Sequence, residues 1–303
     1  MSALVRVPGR VRSVARDPVG TALAWRAKRD ARGLLERHAS LTRRAGIDRV
    51  YLVLSFDCDT AEDAEVAWDV HERLDKLGVR PSYAVPGALL ERAAEVYGRI
   101  AATGSEFLNH GGAEHTYFDA TLRRHASCFF YDQLSPERVR GDIEDGDGIV
   151  TEVLGSRPQG FRTPHFGTYS RPAQLRQLHR VLQTLRYRFS SSTMPRFGLR
   201  HGPLSDYLGL PELPVTGVPD APLAVFDTWG FFAAPDRTRT PLEYLAQAGV
   251  LAETLEELGA GLINVYGDPS HIHDRPEFFD AVRLWAEAAE PISFGGLLDR
   301  LGR

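Results

Sequence analysis

Short apolar segments alternate with helical segments from Arg49 to the end of the chain, and this alternation limits the possible folds. The first apolar segment spans residues 50–56 and predicts a strand. The segment that follows has apolar residues at spacings of three and four, which predict a helix: Val66, Val70, Leu74 and Leu77. Strands separated by helices imply a parallel sheet with crossover connections. The sequence therefore predicts an α/β fold, a closed or nearly closed β/α barrel.

The same alternation continues through the rest of the chain. Further strands are predicted at PSYAVPG, EFLNHG, GFRTPHFG, YRFSSS and GLINVYGDP. Further helices are predicted at LLERAAEVYGRIAATG, SPERVRGDIED and RPAQLRQLHRVLQTL. The second of these begins after Ser135, a good N-cap, with Pro136 at its first position. The number of elements and the length of the chain suit one barrel domain.

Composition excludes several classes of protein. The 303 residues are 43% hydrophobic and 25% charged with a net charge of −4, as in ordinary globular proteins. No run of 18 apolar residues occurs, and the N-terminus lacks the apolar core of a secretory signal. Two cysteines, Cys58 and Cys128, form no disulfide framework, which predicts a cytoplasmic protein. Cys58 is interpreted either as a small buried residue at a strand end or as a nucleophile.

Positive charge is concentrated near the N-terminus. Residues 1–49 contain 12 Lys+Arg and 4 Asp+Glu, a balance of +8, so the remainder carries about −12. We predict two regions, a basic helical extension (residues 1–48) and a barrel (residues 49–303). The segment TALAWRAKRDARGLLERHASLTRRAG predicts one amphipathic helix with apolar residues Leu23, Trp25, Leu34, Leu35 and Leu41. Such a helix can contact an anionic membrane or a phosphorylated ligand, or it can simply pack across the barrel.

Polar residues follow four of the predicted strands. They are Asp57 and Asp59; Asn109, His110 and His115; Arg162 and His165; and Asp268, His271 and His273. In β/α barrels the active site forms where the strands end and the βα loops begin. A set of carboxylates and imidazoles is suited to a divalent ion, and mixed nitrogen and oxygen ligands favour zinc. The sequence therefore predicts a metal site at this end of the barrel.

The order of motifs resembles that of the NodB-homology polysaccharide deacetylases, carbohydrate esterases that remove N-acetyl groups from sugars. LSFDCDT resembles the first motif of the family, GSEFLNHGGAEH the second, GFRTPHFG the third and LINVYGDPSH the last. The resemblance covers roughly residues 50–300. It implies a distorted (β/α)7 TIM-like barrel, in agreement with the alternation of strands and helices.

The resemblance also implies roles for individual residues. Asp59, His110 and His115 would be the protein ligands of a divalent metal, Zn²⁺ in the first place, with Co²⁺, Mn²⁺ and Ni²⁺ as alternatives. Asp57 would be the general base and Arg162 would hold it ionised and oriented. His271 would be the general acid that protonates the leaving amine, with His273 as the alternative.

Some of these assignments have alternatives. His110 and His115 are five residues apart where the family usually has four, so Glu114 or His125 could replace His115 as a ligand. In the third motif Pro164 is followed by His165, whose backbone N–H could serve the oxyanion. Trp229 could stack on a sugar ring or belong to the core. These three residues, Pro164, His165 and Trp229, are the predicted substrate contacts.

These implied roles predict a hydrolase that removes the N-acetyl group from an amino sugar or an amino-sugar conjugate. The partner would be an N-acylated amino sugar, either free or linked to a phosphate or a lipid, and the basic extension would allow a peripheral membrane contact. No nucleic-acid partner is expected, and the sequence does not indicate an oligomeric state. A deformylase or a cyclic-amide hydrolase would show the same motifs. The rival interpretation is a barrel that binds carbohydrate without catalysis.

Overall fold

Two helices precede the first strand in the computed structural model, which describes residues 17–303. They are α1 (Pro18–Ala27) and α2 (Ala31–Arg44). The prediction of one continuous helix here is wrong, because Asp30 interrupts it: its carboxylate accepts a hydrogen bond from the Gly33 N–H at 2.9 Å and caps α2. Residues 1–16 of the predicted extension lie outside the described residues.

Seven parallel strands form the barrel wall in the order β12, β1, β2, β3, β6, β7 and β9. Strand β8 pairs antiparallel with β9, and β13 pairs with the start of β1. Two hairpins, β4–β5 and β10–β11, lie outside this sheet. The strands are β1 (Val50–Asp57), β2 (Ser82–Val85), β3 (Phe107–Asn109), β4 (Thr116–Asp119), β5 (Arg124–Ser127), β6 (Gly160–Phe161), β7 (Phe189–Ser190), β8 (Ser205–Tyr207), β9 (Leu210–Glu212), β10 (Gly217–Val218), β11 (Ala221–Val225), β12 (Gly261–Gly267) and β13 (Glu290–Pro291).

Helices connect the parallel strands of the wall or follow the last of them. They are α3 (Ala61–Asp75), α4 (Gly87–Arg92), α5 (Ala94–Ala102), α6 (Pro136–Leu154), α7 (Pro172–Thr184), α8 (Pro195–His201), α9 (Pro241–Leu258), α10 (Pro269–Ile272), α11 (Pro276–Ala288) and α12 (Phe294–Arg300). A 3₁₀ turn covers Tyr131–Gln133 and a π-helical turn covers Trp229–Ala233. The predicted helix after β2 is divided into α4 and α5. None of the helices in residues 17–303 is long and apolar enough to span a membrane.

The segment after β9 brings the two ends of the sheet together. The backbone N–H of Thr216 donates to the carbonyl of Asn264 in β12 at 2.7 Å. The side-chain amide of Asn264 donates back to the carbonyls of Leu213 and Pro214 at 2.9 and 3.0 Å. These bonds satisfy polar groups that would otherwise be buried without partners, and they close the wall between its first and last parallel strands.

Side chains of β1 alternate between the two layers of the fold. Tyr51 and Val53 belong to an apolar cluster with Leu108 and Phe189 inside the barrel. Leu52, Leu54 and Phe56 belong to the larger cluster between the sheet and its surrounding helices. Because side chains alternate along a strand, residues two apart face the same side. Odd-numbered positions of β1 therefore point into the barrel.

Helix α2 lies across the end of the barrel where the strands begin. His38 on α2 accepts a hydrogen bond from the N–H of Leu262, the second residue of β12, at 3.2 Å. Arg43 donates to the carbonyl of Leu258, just before β12. The buried residues of α2 are Gly33, Leu34, Leu35, His38, Ala39 and Thr42. The described part of the basic extension is thus packed against the barrel, at the end opposite the predicted catalytic residues.

Candidate metal and catalytic centre

The spacing of Asp57 and Asp59 follows from the pleat of β1. Asp57 is the last residue of the strand at an inward-facing position, and Asp59 lies two residues further on. Cys58 between them is fully buried in the apolar cluster on the helix side. Burial raises the pKa of the Cys58 thiol well above its usual value, which opposes thiolate formation and a nucleophilic role.

Asp59, His110 and His115 converge at one point. Oδ1 of Asp59 lies 2.8 Å from Nε2 of His115 and 3.4 Å from Nε2 of His110. Both imidazoles are buried, and the two rings are perpendicular with centroids 4.6 Å apart. Burial alone would raise the pKa of Asp59, but His115 and His110 hold it well below its usual value. One carboxylate oxygen thus faces two imidazole nitrogens.

A tight turn brings the two histidines together although they are five residues apart. Gly111 has a φ of +84°, a left-handed conformation that favours glycine, and a Cβ there would collide with Asp142. The carboxylate of Asp142 accepts from the N–H groups of Gly112 and Ala113 at 3.2 and 2.8 Å, and from the Tyr131 hydroxyl at 2.5 Å. Asp142 on α6 therefore holds the turn in place, a role that the sequence did not reveal.

The donor set fits a divalent cation. Nδ1 of His110 lies 2.8 Å from the carbonyl oxygen of Arg162, which only accepts, so Nδ1 carries the proton. In the neutral ring, Nε2 of His110 then carries a lone pair that points at the Asp59 carboxylate. Both groups are hydrogen-bond acceptors, so their contact requires a cation or a proton between them. The ligand atoms of Asp59, His110 and His115 lie within 4.8 Å of one another. Two imidazoles and one carboxylate suit zinc and leave coordination positions free.

The two alternative ligands lie in other ion pairs. Glu114 pairs with Arg92 on α4, and His125 on β5 lies 2.9 Å from Glu62. Among the residues that the structure describes, only Asp59, His110 and His115 form a compact group of three potential metal ligands. The geometry favours His115 over Glu114 and His125 as the third ligand.

Asp57 and Arg162 form a buried pair beside this centre. Nη1 of Arg162 donates to Oδ1 of Asp57 at 2.7 Å. Nη2 of the same guanidinium donates to the hydroxyls of Ser55 and Ser191 at 3.0 and 3.2 Å. Burial raises the pKa of Asp57, and the positive charge of Arg162 opposes that rise. Arg162 is fully buried, and these hydrogen bonds fix the orientation of its guanidinium.

The third motif forms a strained turn above β6. His165 adopts a left-handed φ of +55°, which is uncommon for a residue with a Cβ. Its Nε2 lies 2.8 Å from the carbonyl of Cys128, and its ring centroid is 5.1 Å from that of His115. The side chain of His165 is thus held beside the Asp59–His110–His115 group. The predicted role of its backbone N–H, and that of Pro164, stay predictions.

His271 lies on α10, immediately after the last barrel strand. Its Nδ1 is 3.1 Å from Asp268 Oδ2 and 3.2 Å from the hydroxyl of Thr228. Burial lowers the pKa of His271, but the charge and hydrogen bond of Asp268 outweigh burial and raise it to about 9. The alternative acid, His273, is exposed, and its Nδ1 lies 3.3 Å from the Ser270 carbonyl.

An open groove of about 790 Å³ leads to this centre. Its walls include Asp59, His271, Trp229 and, from the β4–β5 hairpin, Phe118 and His125. Trp229 is 49% exposed and its ring centroid is 5.7 Å from that of His271. The alternative interpretation of Trp229 as a core residue is therefore wrong, because its indole lines the groove.

Two further carboxylates lie at the centre: Asp268, which was predicted only as one of the polar residues after the last strand, and Asp63, for which no role was predicted. Asp268 directly follows β12, immediately before α10, and lies three residues before His271, a spacing that could have indicated a pair. Asp63 on α3 accepts from the N–H of Ser270, which is 207 residues away in sequence. Nothing local in the sequence could indicate that contact.

Comparison with known proteins agrees with the resemblance. Residues 47–184 match the family model described as polysaccharide deacetylase. No curated protein sequence matches the chain. Among solved structures, the fold is similar to that of a candidate polysaccharide deacetylase from Mycobacterium smegmatis, with 18% identity, a TM-score of 0.61 and coverage of 84% of this chain and 90% of that one.

Two other solved structures have the same fold. One is described as Puue allantoinase, with 12% identity, a TM-score of 0.59 and coverage of 84% of this chain and 90% of that one. The other is described as a polysaccharide deacetylase from Pseudomonas aeruginosa PAO1, with 13% identity, a TM-score of 0.56 and coverage of 85% of this chain and 91% of that one. The predicted α/β fold of the distorted (β/α)7 type is confirmed. The resemblance to the polysaccharide deacetylase family, with its NodB-homology domain, is confirmed for residues 47–184.

Proposed function

We propose that the protein is a metal-dependent deacetylase that hydrolyses the N-acetyl group of an amino sugar or an amino-sugar conjugate. One observation carries the proposal: a compact Asp59–His110–His115 donor set lies beside the buried Asp57–Arg162 pair. The Asp59–His110–His115 set would provide the metal site. In the Asp57–Arg162 pair, the carboxylate of Asp57 is oriented by Arg162 and is not proposed as a metal ligand. A divalent ion held by these three side chains would supply Lewis acidity, which lowers the pKa of water and polarises the amide carbonyl.

Asp57 is the proposed general base. One of its oxygens is held by Arg162, so the carboxylate is fixed in direction while its other oxygen stays available to accept a proton from the attacking water. The guanidinium also stabilises the ionised form against burial, which favours the neutral form. Arg162 acts through Asp57 and is therefore a positioning residue.

His271 is the proposed general acid. With its pKa raised to about 9, the imidazole is protonated at neutral pH and can donate to the leaving amine. Nδ1 is occupied by Asp268 and Thr228, so Nε2 is the nitrogen available to donate that proton. His271 lines the same groove as Asp59, which suits an acid that must reach the opposite side of the scissile bond.

The groove suits a sugar ring. Trp229 and Phe118 are half-exposed aromatic side chains in its walls, and flat aromatic faces pack well against the apolar face of a pyranose. An open groove admits a sugar that carries a further group, such as a phosphate or a lipid. We therefore propose an N-acylated amino sugar, free or conjugated, as the substrate class.

A second candidate substrate is a cyclic amide. The fold is shared with a structure described as an allantoinase, and hydrolysis of either amide would use the same nucleophile, base and acid. A deformylase would also use this centre. The rival proposal of a non-catalytic barrel has less support, because Asp57 and Arg162 still form their pair and the three metal-ligating side chains still converge.

The basic extension is proposed to contact an anionic membrane surface rather than the substrate. Its described part lies where the strands begin, whereas the groove opens where they end. A phosphorylated substrate in the groove would therefore be distant from α2. A peripheral contact through this end would leave the groove facing away from the lipid.

One experiment tests the proposed function directly. The purified protein would be analysed for bound divalent metal. Hydrolysis would be measured as amine release from N-acetylated amino sugars and N-formyl analogues, and as ring opening of cyclic amides. We expect about one ion per chain, loss of activity on chelation and recovery with Zn²⁺. Hydrolysis that is unaffected by a chelator would contradict metal dependence, and no hydrolysis of any of these substrates would favour the non-catalytic barrel.

A further inference from the structure

Asp63 is a buried carboxylate, 1% exposed, in the first turn of α3. It forms a capping box with Thr60: the backbone N–H and hydroxyl of Thr60 donate to Oδ2 of Asp63 at 3.0 and 2.7 Å. In return, the N–H of Asp63 donates to the Thr60 hydroxyl at 3.2 Å. Such a box stabilises the start of a helix by satisfying N–H groups that have no partner within it.

The same carboxylate also joins two separate loops of the centre. Oδ2 accepts a third hydrogen bond, from the N–H of Asp59 at 3.1 Å. Oδ1 accepts from the N–H of Ser270 at 3.0 Å. Asp59 is a proposed metal ligand, and Ser270 directly precedes the proposed acid His271. One side chain is thus bonded to the backbone on both sides of the groove.

Capping alone does not explain these contacts. Helix α9 begins with an equivalent box, in which the Thr240 N–H and hydroxyl donate to Oε2 of Glu243 at 2.7 and 3.0 Å. Glu243 is exposed, so a cap in this protein does not require a buried acid. Burial raises the pKa of Asp63, and no Arg or Lys among residues 17–303 forms an ion pair with it. Its buried charge is therefore stabilised by hydrogen-bond donors, two of them from the loops of the centre, and by the nearby charge of His271.

We propose that Asp63 is a positioning residue that sets the distance between the metal ligand Asp59 and the acid His271. The inference rests on the proposed function of the centre. Both backbone polar groups of Asp59 are hydrogen-bonded to side chains. Its N–H donates to Asp63, and its carbonyl accepts from the Thr116 hydroxyl at 2.7 Å. Loss of the Asp63 carboxylate would release the N–H of Asp59 and the loop that precedes His271 together.

The test compares Asp63→Asn with Glu243→Gln, which is the same acid-to-amide change in the equivalent box of α9. Metal affinity would be measured by competition with a chelator, together with kcat, KM and Tm. We expect Asp63→Asn to bind Zn²⁺ about 10–100-fold more weakly, as is usual when a residue that supports a ligand is lost, and to lower kcat more than it raises KM. Glu243→Gln should retain wild-type metal affinity and kcat.

A second variant, Asp63→Glu, covers the case in which the amide destabilises the fold. Glutamate keeps the charge and is common at this position of a capping box, but its longer side chain displaces the carboxylate. We expect Asp63→Glu to have the wild-type Tm and to bind Zn²⁺ more weakly than the wild type. If Asp63→Glu bound Zn²⁺ with wild-type affinity, the proposal would be overturned. The proposal would also fail if the wild type binds Zn²⁺ and releases amine while Asp63→Asn matches Glu243→Gln. A wild type that does neither would instead refute the proposed function.

Discussion

Asp268 Oδ2 lies 3.1 Å from Nδ1 of His271, which is three residues further along the chain on the short helix α10. Burial raises the pKa of Asp268 to about 7, and it would lower that of His271. The carboxylate nevertheless raises the pKa of His271 to about 9. Asp268 therefore keeps the imidazole of His271 protonated through neutral pH. Nε2 of that imidazole is available to donate a proton to a substrate in the groove.

The first prediction concerns the pH dependence of activity. A general acid must be protonated, so kcat/KM should fall as pH rises through the pKa of His271, at about 9. Asp268→Asn removes the charge that raises this pKa, so the basic limb should move down by about 1–3 pH units. Glu65→Gln is the control, because Glu65 is an exposed acid in the same groove. An unchanged basic limb in Asp268→Asn would assign the proton donor to another group.

The second prediction separates Asp57 from Asp59. Asparagine is nearly isosteric with aspartate but lacks the charge and the basicity. Asp59→Asn should be poor in metal and partly rescued by excess Zn²⁺, because a ligand charge is lost. Asp57→Asn should retain its metal while kcat falls about 10²–10⁴-fold, the usual effect of a positioned general base. Metal analysis and steady-state kinetics of the two variants check these expectations. If Asp57→Asn were metal-free and Asp59→Asn contained metal, the two assigned roles would have to be exchanged.

The third prediction identifies the third ligand. His115 lies 2.8 Å from Asp59, whereas Glu114 pairs with Arg92. His115→Ala should therefore be purified with much less than one ion per chain. Glu114→Gln should retain metal and activity, since the pair that it loses is partly exposed and contributes about 1 kcal/mol or less to stability. A metal-free Glu114→Gln with a loaded His115→Ala would transfer the ligand role to Glu114.

The parts of the centre that could be predicted are those governed by local rules. Asp57 and Asp59 face the same side because a strand alternates with a period of two, and this can be inferred from SFDCDT alone. His110, Arg162 and His271 were predicted because the ends of parallel strands meet at one end of a barrel. The barrel itself was predictable because each strand and helix has its own hydrophobic periodicity.

The parts that were missed depend on contacts between distant segments. The bond from Ser270 to Asp63 joins residues 207 positions apart, and that between Asp142 and Ala113 joins residues 29 apart. The β4–β5 hairpin was missed because its residues are half-buried or exposed and show no strong hydrophobic pattern. The break between α1 and α2 was missed because apolar residues at helical spacing continue across the capping signal of Asp30.

The last prediction concerns His38, which anchors the basic extension to the barrel. Nε2 accepts from the Leu262 N–H at 3.2 Å, so the ring must be unprotonated there, and burial lowers its pKa to about 4. In the unfolded chain His38 takes up a proton near pH 6.5, but in the folded chain only near pH 4. The free energy of unfolding should therefore fall as pH drops from 6.5 to 4, by about 3 kcal/mol in total from this residue.

A glutamine variant isolates the contribution of His38 from that of the other titrating groups. In His38→Gln the side-chain carbonyl can still accept from Leu262, but it cannot titrate. Urea unfolding at several pH values should show a shallower loss of stability for His38→Gln than for the wild type, with the two curves converging as pH approaches neutrality. His273→Gln, a change at an exposed histidine, should follow the wild-type curve. Equal acid sensitivity of His38→Gln and the wild type would mean that α2 stays attached without a neutral imidazole at this position.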